Sequence, residues 1–423
     1  MPRAVSLRAQ VERDAEAARR ASAELTDERV ADALRIAARK VRERRNELLR
    51  VNAGEHSAAA DRLDAGLLDR LRLDDARIEQ LAVQLEATAD APPLERDAGE
   101  WTLENGLHVS ERRVPIGCVG ANFEARPNVA LDIAAQLLKS LNGAVLRTGG
   151  AALRTSVYLV DEVLRPALAE ASLPPEAVAI VRSRQRGGAR ILVSLPQAIP
   201  LVILRGSGPG TAALAQRAAR HGVRTLAHAE GGGVLYVHPS ASPELVRTVA
   251  AASLDRLGVC NRLNLALVDV RASSLLPPLV ALFGERGLAV YGTRRAAAHA
   301  TVLPHEHRVG HEWASDPDNV ESVTVDVVDD LEDAARIANE ETSGLAAGIV
   351  AEDARAAERF LSAYRGAAAF WNASTRFADG FELTRSPETG INVDWVPGPR
   401  GPVTYRDLWL RQYRVVGDGS QRR

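Results

Sequence analysis

Apolar residues recur every three or four positions over residues 5–90, interspersed with many arginines and glutamates. This spacing is typical of amphipathic helices that bury one face. The composition changes near Ala91-Pro92-Pro93, and segment 101–109 then has the pattern of a hairpin that turns at Asn105-Gly106. The pattern therefore predicts successive structural helices followed by β structure.

From residue 114 onward, short apolar runs alternate with amphipathic segments. The predicted strands are 114–119, 144–147, 178–180 or 191–193, 200–204 and 234–237, and helices are predicted at 129–141, 156–171 and 211–221. A second round begins near residue 245, with strands at 263–270, 288–290, 322–328 and 347–350 and helices at 275–286, 331–339 and 354–364. Alternation on this scale predicts two consecutive α/β domains with parallel sheets.

The bulk composition narrows the class of protein. A chain of 423 residues exceeds one compact core, so two or three domains are expected. The formal net charge of −2 does not favour nucleic-acid binding. No run approaches about 18 apolar residues and no apolar signal segment opens the chain, so we expect no membrane span. Two cysteines without such a segment fit a reducing cytoplasm.

Cys260 lies in Leu257-Gly258-Val259-Cys260-Asn261-Arg262, between a glycine-containing turn and a predicted strand. A thiol in this position is a candidate covalent nucleophile, because the thiolate is the most reactive attacking group at neutral pH. Most free cysteines are instead small buried hydrophobic residues. The residues around Cys260 leave both interpretations open.

Two glycine-rich turns follow predicted strands of the first α/β domain. One is Arg205-Gly206-Ser207-Gly208, at the start of a predicted helix, and the other is Gly149-Gly150. Backbone N–H groups at a helix N-terminus bind phosphate, although a tight connection capped by Thr211 fits the first turn equally well. Two such turns at neighbouring strand ends predict a nucleotide site.

Several segments share their residues with one known family. They are Arg113-Val114-Pro115-Ile116-Gly117, Phe123-Glu124-Ala125-Arg126-Pro127-Asn128-Val129, Leu138-Lys139-Ser140, Val145-Leu146-Arg147, Arg205-Gly206, Gly258-Val259-Cys260-Asn261, Asn372-Ala373-Ser374-Thr375-Arg376-Phe377-Ala378-Asp379-Gly380, Glu388-Thr389-Gly390-Ile391, Arg400-Gly401-Pro402 and Gly417-Asp418. In this order they resemble the gamma-glutamyl phosphate reductase (glutamate-5-semialdehyde dehydrogenase) family of the aldehyde dehydrogenase superfamily.

The resemblance implies an α/β fold of the aldehyde dehydrogenase type. A Rossmann-like cofactor domain would comprise 1–100 and 121–236, and 371–394 would return to it. An α/β catalytic domain would comprise 237–370. A small β-flap for oligomerisation would combine 101–120 with 395–423, so a homodimer or homotetramer is expected.

The implied chemistry is reduction of an acyl phosphate by NADPH, of the kind used in proline biosynthesis. The Cys260 thiolate would attack gamma-glutamyl phosphate or a close analogue, form a thioester and release phosphate, and hydride transfer would then give the semialdehyde. Three alternatives remain: a different acyl phosphate, oxidation of an aldehyde with Glu230 as general base, and a non-catalytic paralogue that keeps the fold.

The resemblance also suggests residues for each part of the site. The catalytic candidates are Cys260 and Asn122, the latter as an oxyanion donor. Arg126 and Arg376 could bind carboxylate or phosphate, although each could equally form a structural ion pair. The remaining candidates are Asn261, Asn372, Ser374 and Thr375 for substrate, and Arg147, Gly149, Gly150, Arg205, Gly206, Ser207 and Gly208 for cofactor. The histidines of His305-Glu306-His307 predict no metal site.

Four segments depart from the family pattern. Asn264 stands where the family has glutamate, Leu345-Ala346-Ala347 where it has His-Ser-Asp, and Gly233-Val234 where it has Cys-His. Val403-Thr404 replaces Met-Gly. Loss of polar groups from a pocket affects the choice of substrate more than it affects thioester chemistry. We therefore expect that the thiol is retained and that the pocket around it differs from that of the family.

Overall fold

The computed structural model describes residues 6–63, 65–124, 126–206, 208–228, 231–256, 259–305, 321–393 and 399–420. The helices are α1 (Leu7–Ser22), α2 (Asp27–Glu43), α3 (Arg45–Ala59), α4 (Ala65–Leu71), α5 (Asp75–Asp90), α6 (Val129–Lys139), α7 (Leu153–Tyr158), α8 (Arg165–Glu170), α9 (Gly187–Leu192), α10 (Gly208–Arg220), α11 (Pro243–Ala252), α12 (Leu276–Glu285), α13 (Arg294–Ala297), α14 (Leu331–Glu340), α15 (Ala354–Ala363) and α16 (Gly380–Thr384). The strands are β1 (Asp97–Thr102), β2 (His108–Pro115), β3 (Cys118–Phe123), β4 (Gly143–Thr148), β5 (Val178–Ile180), β6 (Leu201–Arg205), β7 (Arg224–His228), β8 (Gly233–Val237), β9 (Leu263–Asp269), β10 (Ala289–Gly292), β11 (Leu303–Pro304), β12 (Ser322–Val328), β13 (Ala346–Val350), β14 (Ala368–Trp371), β15 (Gly390–Asn392), β16 (Gly401–Val403) and β17 (Trp409–Val416).

Three of the amino-terminal helices begin at side-chain caps and bury one face each. The side chains of Ser6, Thr26 and Asp74 accept hydrogen bonds from the first turns of α1, α2 and α5. Helix α2 packs along α5, and its buried positions follow helical spacing. The prediction of a helical amino-terminal region is confirmed.

The first α/β unit is built on a five-stranded parallel sheet in the order β5-β4-β3-β6-β7. Helices α2, α5, α6 and α8 cover one face, and α1, α9 and α10 cover the other. Burial of both faces explains why the strands at the centre of this sheet are largely apolar. The alternative strand at 191–193 is wrong, because Ile191 and Leu192 belong to α9, where Ala189 and Leu192 are buried and Arg190 is exposed. A three-residue apolar run does not distinguish these two structures.

The second α/β unit is built on a seven-stranded parallel sheet in the order β11-β10-β12-β9-β8-β13-β14. Apolar clusters cover both faces, with α11 and α12 on one face and α14 and α15 on the other. The register between β8 and β9 shifts at Gly233 and Val234, beside the predicted nucleophile. The expected pair of parallel α/β units is confirmed.

A separate three-stranded antiparallel sheet combines β1 and β2 with the carboxyl-terminal β17. The predicted strand 114–119 is divided, since β2 ends at Pro115 and β3 begins at Cys118 in the five-stranded sheet. Strand β15 lies against β7, so part of 371–394 does contact the first unit. No helix in the described part of the chain is long and apolar enough to cross a membrane.

Candidate functional site

Cys260 lies in the turn before β9, at the amino end of the seven-stranded sheet, and is partly exposed. The Gly232 N–H donates to the carbonyl oxygen of Cys260 at 2.6 Å. A Cβ on Gly231 would lie 2.6 Å from the Cβ of Cys260, which is too close for a side chain. The backbone of 231–232 therefore fixes the cysteine turn from one side, and only glycine fits at 231.

The two cysteines have different environments. Cys118 is fully buried in β3, and burial raises the pKa of its thiol to about 12. A thiol of this kind is unreactive at neutral pH, because the thiolate is the nucleophile. Neither cysteine forms a disulfide, and of the two only Cys260 has exposed surface.

Asn261 joins the cysteine turn to the segment after β14. Its Nδ2 donates to the carbonyl oxygens of Arg376 at 2.9 Å and Ala378 at 3.2 Å. Thr375 Oγ1 donates to the Asn261 carbonyl oxygen at 2.9 Å. A Cβ on Gly233 would lie 2.6 Å from Thr375 Oγ1. These contacts hold two segments together at the thiol.

Ser374 and Arg376 contribute to the same junction. Ser374 Oγ donates to the carbonyl oxygen of Ala252 at 2.9 Å. The Arg376 guanidinium donates to Asp255 Oδ1 at 2.6 Å and to Asn261 Oδ1. The sequence left two roles open for Arg376, substrate binding and a structural ion pair. The structure shows an ion pair, with Asp255. A substrate contact for Asn261, Ser374, Thr375 or Arg376 stays a prediction.

Asn372 follows β14 with a left-handed φ of 50°, which asparagine tolerates better than most residues. Its Oδ1 accepts from the Ala351 N–H at 2.9 Å and its Nδ2 donates to the Ala351 carbonyl oxygen at 2.8 Å. Asn372 is at the carboxyl edge of the parallel sheet, whereas Cys260 is at the amino edge. Its described contacts are structural, and its substrate role stays a prediction.

Arg126 lies just before α6, deep in the protein, and it keeps part of its surface exposed. Burial lowers the pKa of this guanidinium, and the positive charges of Arg70 and Arg205 lower it further. The charge of the Cys260 thiolate acts in the opposite direction and raises it. Arg126 is therefore a cation close to the predicted nucleophile, among other cations, and an anion bound there would be stabilised.

The sequence did not suggest a role for two carboxyl groups that lie near these arginines. Asp132 lies in the first turn of α6, and Glu388 Oε1 is 3.7 Å from Arg205 Nη2. Burial raises the pKa of Asp132 to about 7, although Arg205 and Asn128 oppose the shift. The sequence contained one sign that Asp132 is unusual, because it is an acidic residue in the otherwise apolar segment 129–135.

The predicted cofactor residues lie at the carboxyl ends of neighbouring strands. Asn122 on β3 is opposite Arg147 on β4, and Arg147 Nη1 donates to Asn122 Oδ1 at 3.1 Å. A Cβ on Gly206 would lie 2.9 Å from the Glu124 carboxyl group. Helix α10 begins at Gly208, and Ser207 lies outside the described residues. The oxyanion role of Asn122 stays a prediction.

The helix after the Gly149-Gly150 turn already has an anion at its N-terminus. Glu55 accepts from the N–H groups of Arg154 at 2.7 Å and Thr155 at 2.9 Å, and from Thr155 Oγ1 at 2.7 Å. This carboxylate occupies the position that a phosphate would take at the start of α7. Beside it is a cavity of about 360 Å³, whose lining includes Gly54, Glu55, Arg62, Gly150, Arg154 and Arg184.

Leu345 and Ala346, two of the residues that depart from the family pattern, lie beside the thiol. Leu345 is fully buried in an apolar cluster with Phe370 and Ile391, and Cys260 packs against this cluster. Asn264 is buried on β9. Glu230 lies outside the described residues. The described residues contain no group of three or more His, Cys, Asp or Glu side chains that could hold a metal ion.

No protein-family model matches the chain. Individual relatives and solved structures nevertheless agree on one family. A gamma-glutamyl phosphate reductase of Paramagnetospirillum magneticum is 35% identical over 395 residues, covering 92% of this chain and 91% of the relative. The same-named enzyme of Gluconobacter oxydans is 35% identical over 416 residues, covering 96% and 95%.

Solved structures extend this agreement to the fold. The crystal structure of gamma-glutamyl phosphate reductase from Thermotoga maritima superposes with a TM-score of 0.89 at 28% identity, covering 98% of this chain and 100% of that one. A propionaldehyde dehydrogenase from Clostridium phytofermentans has a TM-score of 0.66 at 16% identity and covers 95% and 96%, a likeness of fold alone.

Proposed function

Because the chain belongs to the gamma-glutamyl phosphate reductase family, we propose that this oxidoreductase reduces gamma-glutamyl phosphate, or a close analogue, to its semialdehyde with NADPH. The observation that carries the proposal is the position of Cys260. It is a partly exposed thiol in a glycine-fixed turn, close to the cation of Arg126. A nucleophile beside an anion-binding group is the arrangement that an acyl phosphate requires.

The thiol performs the covalent part of the reaction. The Cys260 sulfur attacks the acyl carbon, the bond from that carbon to the phosphate oxygen breaks, and phosphate leaves with the electron pair. NADPH supplies the hydride that reduces the thioester. The carbon–sulfur bond then breaks, and the aldehyde and the thiolate are released. The apolar cluster around Leu345 excludes water from one side of the thioester, which limits hydrolysis.

The arginines bind the anionic groups. Arg126 is close to Arg205, Arg70 and Arg256, whose charges all lower its pKa. Concentrated positive charge is unfavourable for the free protein and favourable for a phosphate that arrives at the thiol. Arg126 would hold the leaving phosphate, since its guanidinium interacts electrostatically with the charge of Cys260.

The requirement for phosphate tests the function and separates it from aldehyde oxidation. We expect the enzyme to reduce NADP⁺ with glutamate-5-semialdehyde only when inorganic phosphate is present, because phosphate must cleave the thioester in this direction. The measurement is NADPH absorbance with and without phosphate. Phosphate-free reduction that yields glutamate and is lost in Glu230→Gln would establish the oxidising alternative. Inactivity in both directions would favour the non-catalytic one.

NADPH fits the arginine-lined cavity better than NADH. In a Rossmann-type sheet the end of the second strand contacts the adenosine ribose, and an arginine there accommodates a 2′-phosphate. Strand β4 is that strand, and the cavity beside Gly150 contains exposed Arg154 and Arg184. Glu55 is an acidic residue in the lining of this cavity, and its carboxylate already accepts hydrogen bonds from two N–H groups at the start of α7.

Arg184→Ala should raise the KM for NADPH by about tenfold and leave the KM for NADH unchanged. One charged hydrogen bond to a phosphate contributes about 1.5 kcal/mol, which is roughly a tenfold change in affinity. The measurement is initial rate against concentration of each cofactor. Arg182→Ala is the matched control, because Arg182 pairs with Asp161 at 2.7 Å. Equal losses with both cofactors would contradict the 2′-phosphate assignment.

The three-stranded sheet is proposed as the oligomerisation flap, in a homodimer or homotetramer. Trp101, Tyr413 and Val415 share one face, and Leu410 and Val416 lie on the other, each with about half of its surface exposed. Exposed apolar side chains on both faces of a small sheet favour coverage by a second copy. Light scattering that gives the monomer mass of 45.4 kDa would contradict this proposal.

The chemistry also favours a cytoplasmic location. The proposed reaction needs Cys260 as a free thiol, and thiols are kept reduced in the cytoplasm. Recovery of the protein in another fraction after cell fractionation would overturn this proposal.

A further inference from the structure

The Arg376 guanidinium contacts the chain on both sides of Cys260. Its Nε donates to Asp255 Oδ1 at 2.6 Å, just beyond the end of α11, and its Nη1 donates to Asn261 Oδ1, in the residue that follows Cys260. Asn261 belongs to the turn that carries the thiol, and this turn leads into β9. A single side chain therefore connects the end of α11 to the turn of the proposed nucleophile.

The backbone from which this guanidinium extends is anchored to the same two places. Thr375 Oγ1 donates to the Asn261 carbonyl oxygen at 2.9 Å, and the Thr375 N–H donates to Ser253 Oγ at 3.3 Å. The Arg376 N–H donates to Ser374 Oγ at 3.1 Å, which caps the short helical turn on which Arg376 lies. The side chain thus starts from a fixed backbone, so its contacts can hold the cysteine turn in one position.

The N–H groups of the Asn261 amide are both used within this segment. Asn261 is buried, and its Nδ2 donates to the carbonyl oxygens of Arg376 at 2.9 Å and Ala378 at 3.2 Å. A primary amide has two N–H groups, and these two bonds use both of them. The amide is therefore held in one orientation by the Arg376 segment, and it fixes the residue next to Cys260.

Two simpler roles for Arg376 account less well for these contacts. A substrate-binding arginine would share its guanidinium with the Asp255 carboxylate, whose negative charge opposes the binding of an anion. An ion pair that serves stability alone would contribute little, because the Asp255 side chain is 60% exposed. The contacts do fix a position, and a nucleophile has to be held within about 0.5 Å of its productive geometry.

We propose that Arg376 is a positioning residue, which holds Cys260 ready for attack by tying Asn261 to Asp255, and that it does not bind the substrate. The inference rests on the proposed function, because the position of Cys260 matters through the attack of its thiolate on the acyl carbon. A turn that is free to move places the sulfur correctly for only a fraction of the time. Loss of the contact therefore lowers kcat and leaves the affinity for the substrate unchanged.

Asp255→Ala separates positioning from substrate binding, because the two roles predict opposite results. If Arg376 positions Cys260, this variant should lower kcat about tenfold with glutamate-5-semialdehyde and leave KM within about twofold, since one charged hydrogen bond is lost. If Arg376 binds the substrate, removal of a competing carboxylate should lower KM and leave kcat unchanged. The measurement is the initial rate of NADPH formation at saturating phosphate and NADP⁺. A lower KM with an unchanged kcat would overturn the inference.

Substitutions of Arg376 test the geometry of the contact. Arg376→Met should lower kcat on the order of 10²-fold, because a displacement of about 1 Å at a reacting group has an effect of this size. Arg376→Lys should recover little of kcat, since an ammonium group lacks the planar fork that reaches two acceptors at once. The double variant with Asp255→Ala should lose no more than Arg376→Met alone, because both substitutions break the same contact. Recovery of most of kcat by lysine would mean that charge alone is needed and would overturn the inference.

Arg271→Met is the matched control. Arg271 Nε donates to Asp269 Oδ1 at 2.9 Å, so this arginine also pairs with an aspartate, at the far end of the strand that follows Cys260. The variant should leave kcat and KM unchanged. An unchanged kcat in both Asp255→Ala and Arg376→Met, with active wild-type protein, would overturn the inference alone. Wild-type protein that is inactive with the semialdehyde and phosphate would overturn the proposed function, and the inference with it.

Amide hydrogen exchange gives a second measurement that does not depend on activity. Peptides that contain Cys260 should exchange about tenfold faster in Asp255→Ala than in wild type, because the turn is then no longer tied to the end of α11 through Arg376. Peptides from β12 should exchange at the same rate in both proteins, since that strand lies inside the seven-stranded sheet. Equal exchange around Cys260 in the two proteins would mean that the contact does not hold the turn, which contradicts the inference.

Discussion

Cys260→Ala should abolish phosphate-dependent reduction of NADP⁺, with a fall in kcat on the order of 10⁴-fold. Removal of a covalent nucleophile leaves only the contribution of binding and of oxyanion stabilisation, which explains a loss of this size. The fixed backbone of the cysteine turn should keep its shape, because the contacts of Gly231 and Gly232 with residue 260 involve its Cβ and backbone. The measurement is kcat with glutamate-5-semialdehyde at saturating phosphate and NADP⁺.

Cys118→Ala is the matched control for this variant. Cys118 is fully buried in β3 and its thiol pKa is raised to about 12, so it should contribute to packing and not to chemistry. Loss of one buried sulfur should cost about 1 kcal/mol of stability and leave kcat within about twofold. Iodoacetamide should label native wild-type protein at one site, and this label should be absent from Cys260→Ala. Full activity in Cys260→Ala would refute the catalytic assignment.

The sequence predicts the two sheets well because their strands are buried on both faces. Strands such as β4 and β9 are buried along their whole length and mostly apolar, and the helices between the strands have clear apolar periodicity. The place of Cys260 in a turn before β9 was also predictable, since an apolar run follows the turn in the sequence. The structure of the short segment 191–193 was not predictable, because three apolar residues fit a strand and a helix end equally well.

Polar residues of the site were harder to assign because their partners are distant in the sequence. Arg376 was a candidate substrate ligand, and its guanidinium contacts Asp255 and Asn261. The Gly149-Gly150 turn was a candidate phosphate loop, and the helix after it is capped by Glu55 from α3. The sequence gives residue types and local spacing, and it does not give the tertiary contacts that determine whether a charge is available to a ligand.

Arg126→Met should lower kcat/KM by about 10²-fold to 10³-fold. The Arg126 cation interacts with the Cys260 thiolate, and it would also stabilise the leaving phosphate, so one substitution removes two favourable interactions. The rate of iodoacetamide labelling at pH 7 should fall as well, because the attraction between guanidinium and thiolate is mutual. Arg126→Lys should recover part of the labelling rate, since it restores the charge, and less of kcat/KM, since an ammonium group lacks the bidentate geometry for phosphate.

Arg19→Met separates this effect from a general loss of positive charge. Arg19 is the arginine next to the other cysteine: its charge lowers the pKa of Cys118, and its Cγ lies 3.3 Å from a Cβ built on Gly117. The variant removes the same group beside a thiol that takes no part in the proposed reaction, so activity and labelling of Cys260 should stay unchanged. If Arg126→Met lost activity while the labelling rate stayed at the wild-type value, Arg126 would bind substrate without activating the thiol. Unchanged activity in Arg126→Met would remove Arg126 from the site, and the anion would then have to be bound by Arg205, Arg70 or Arg256.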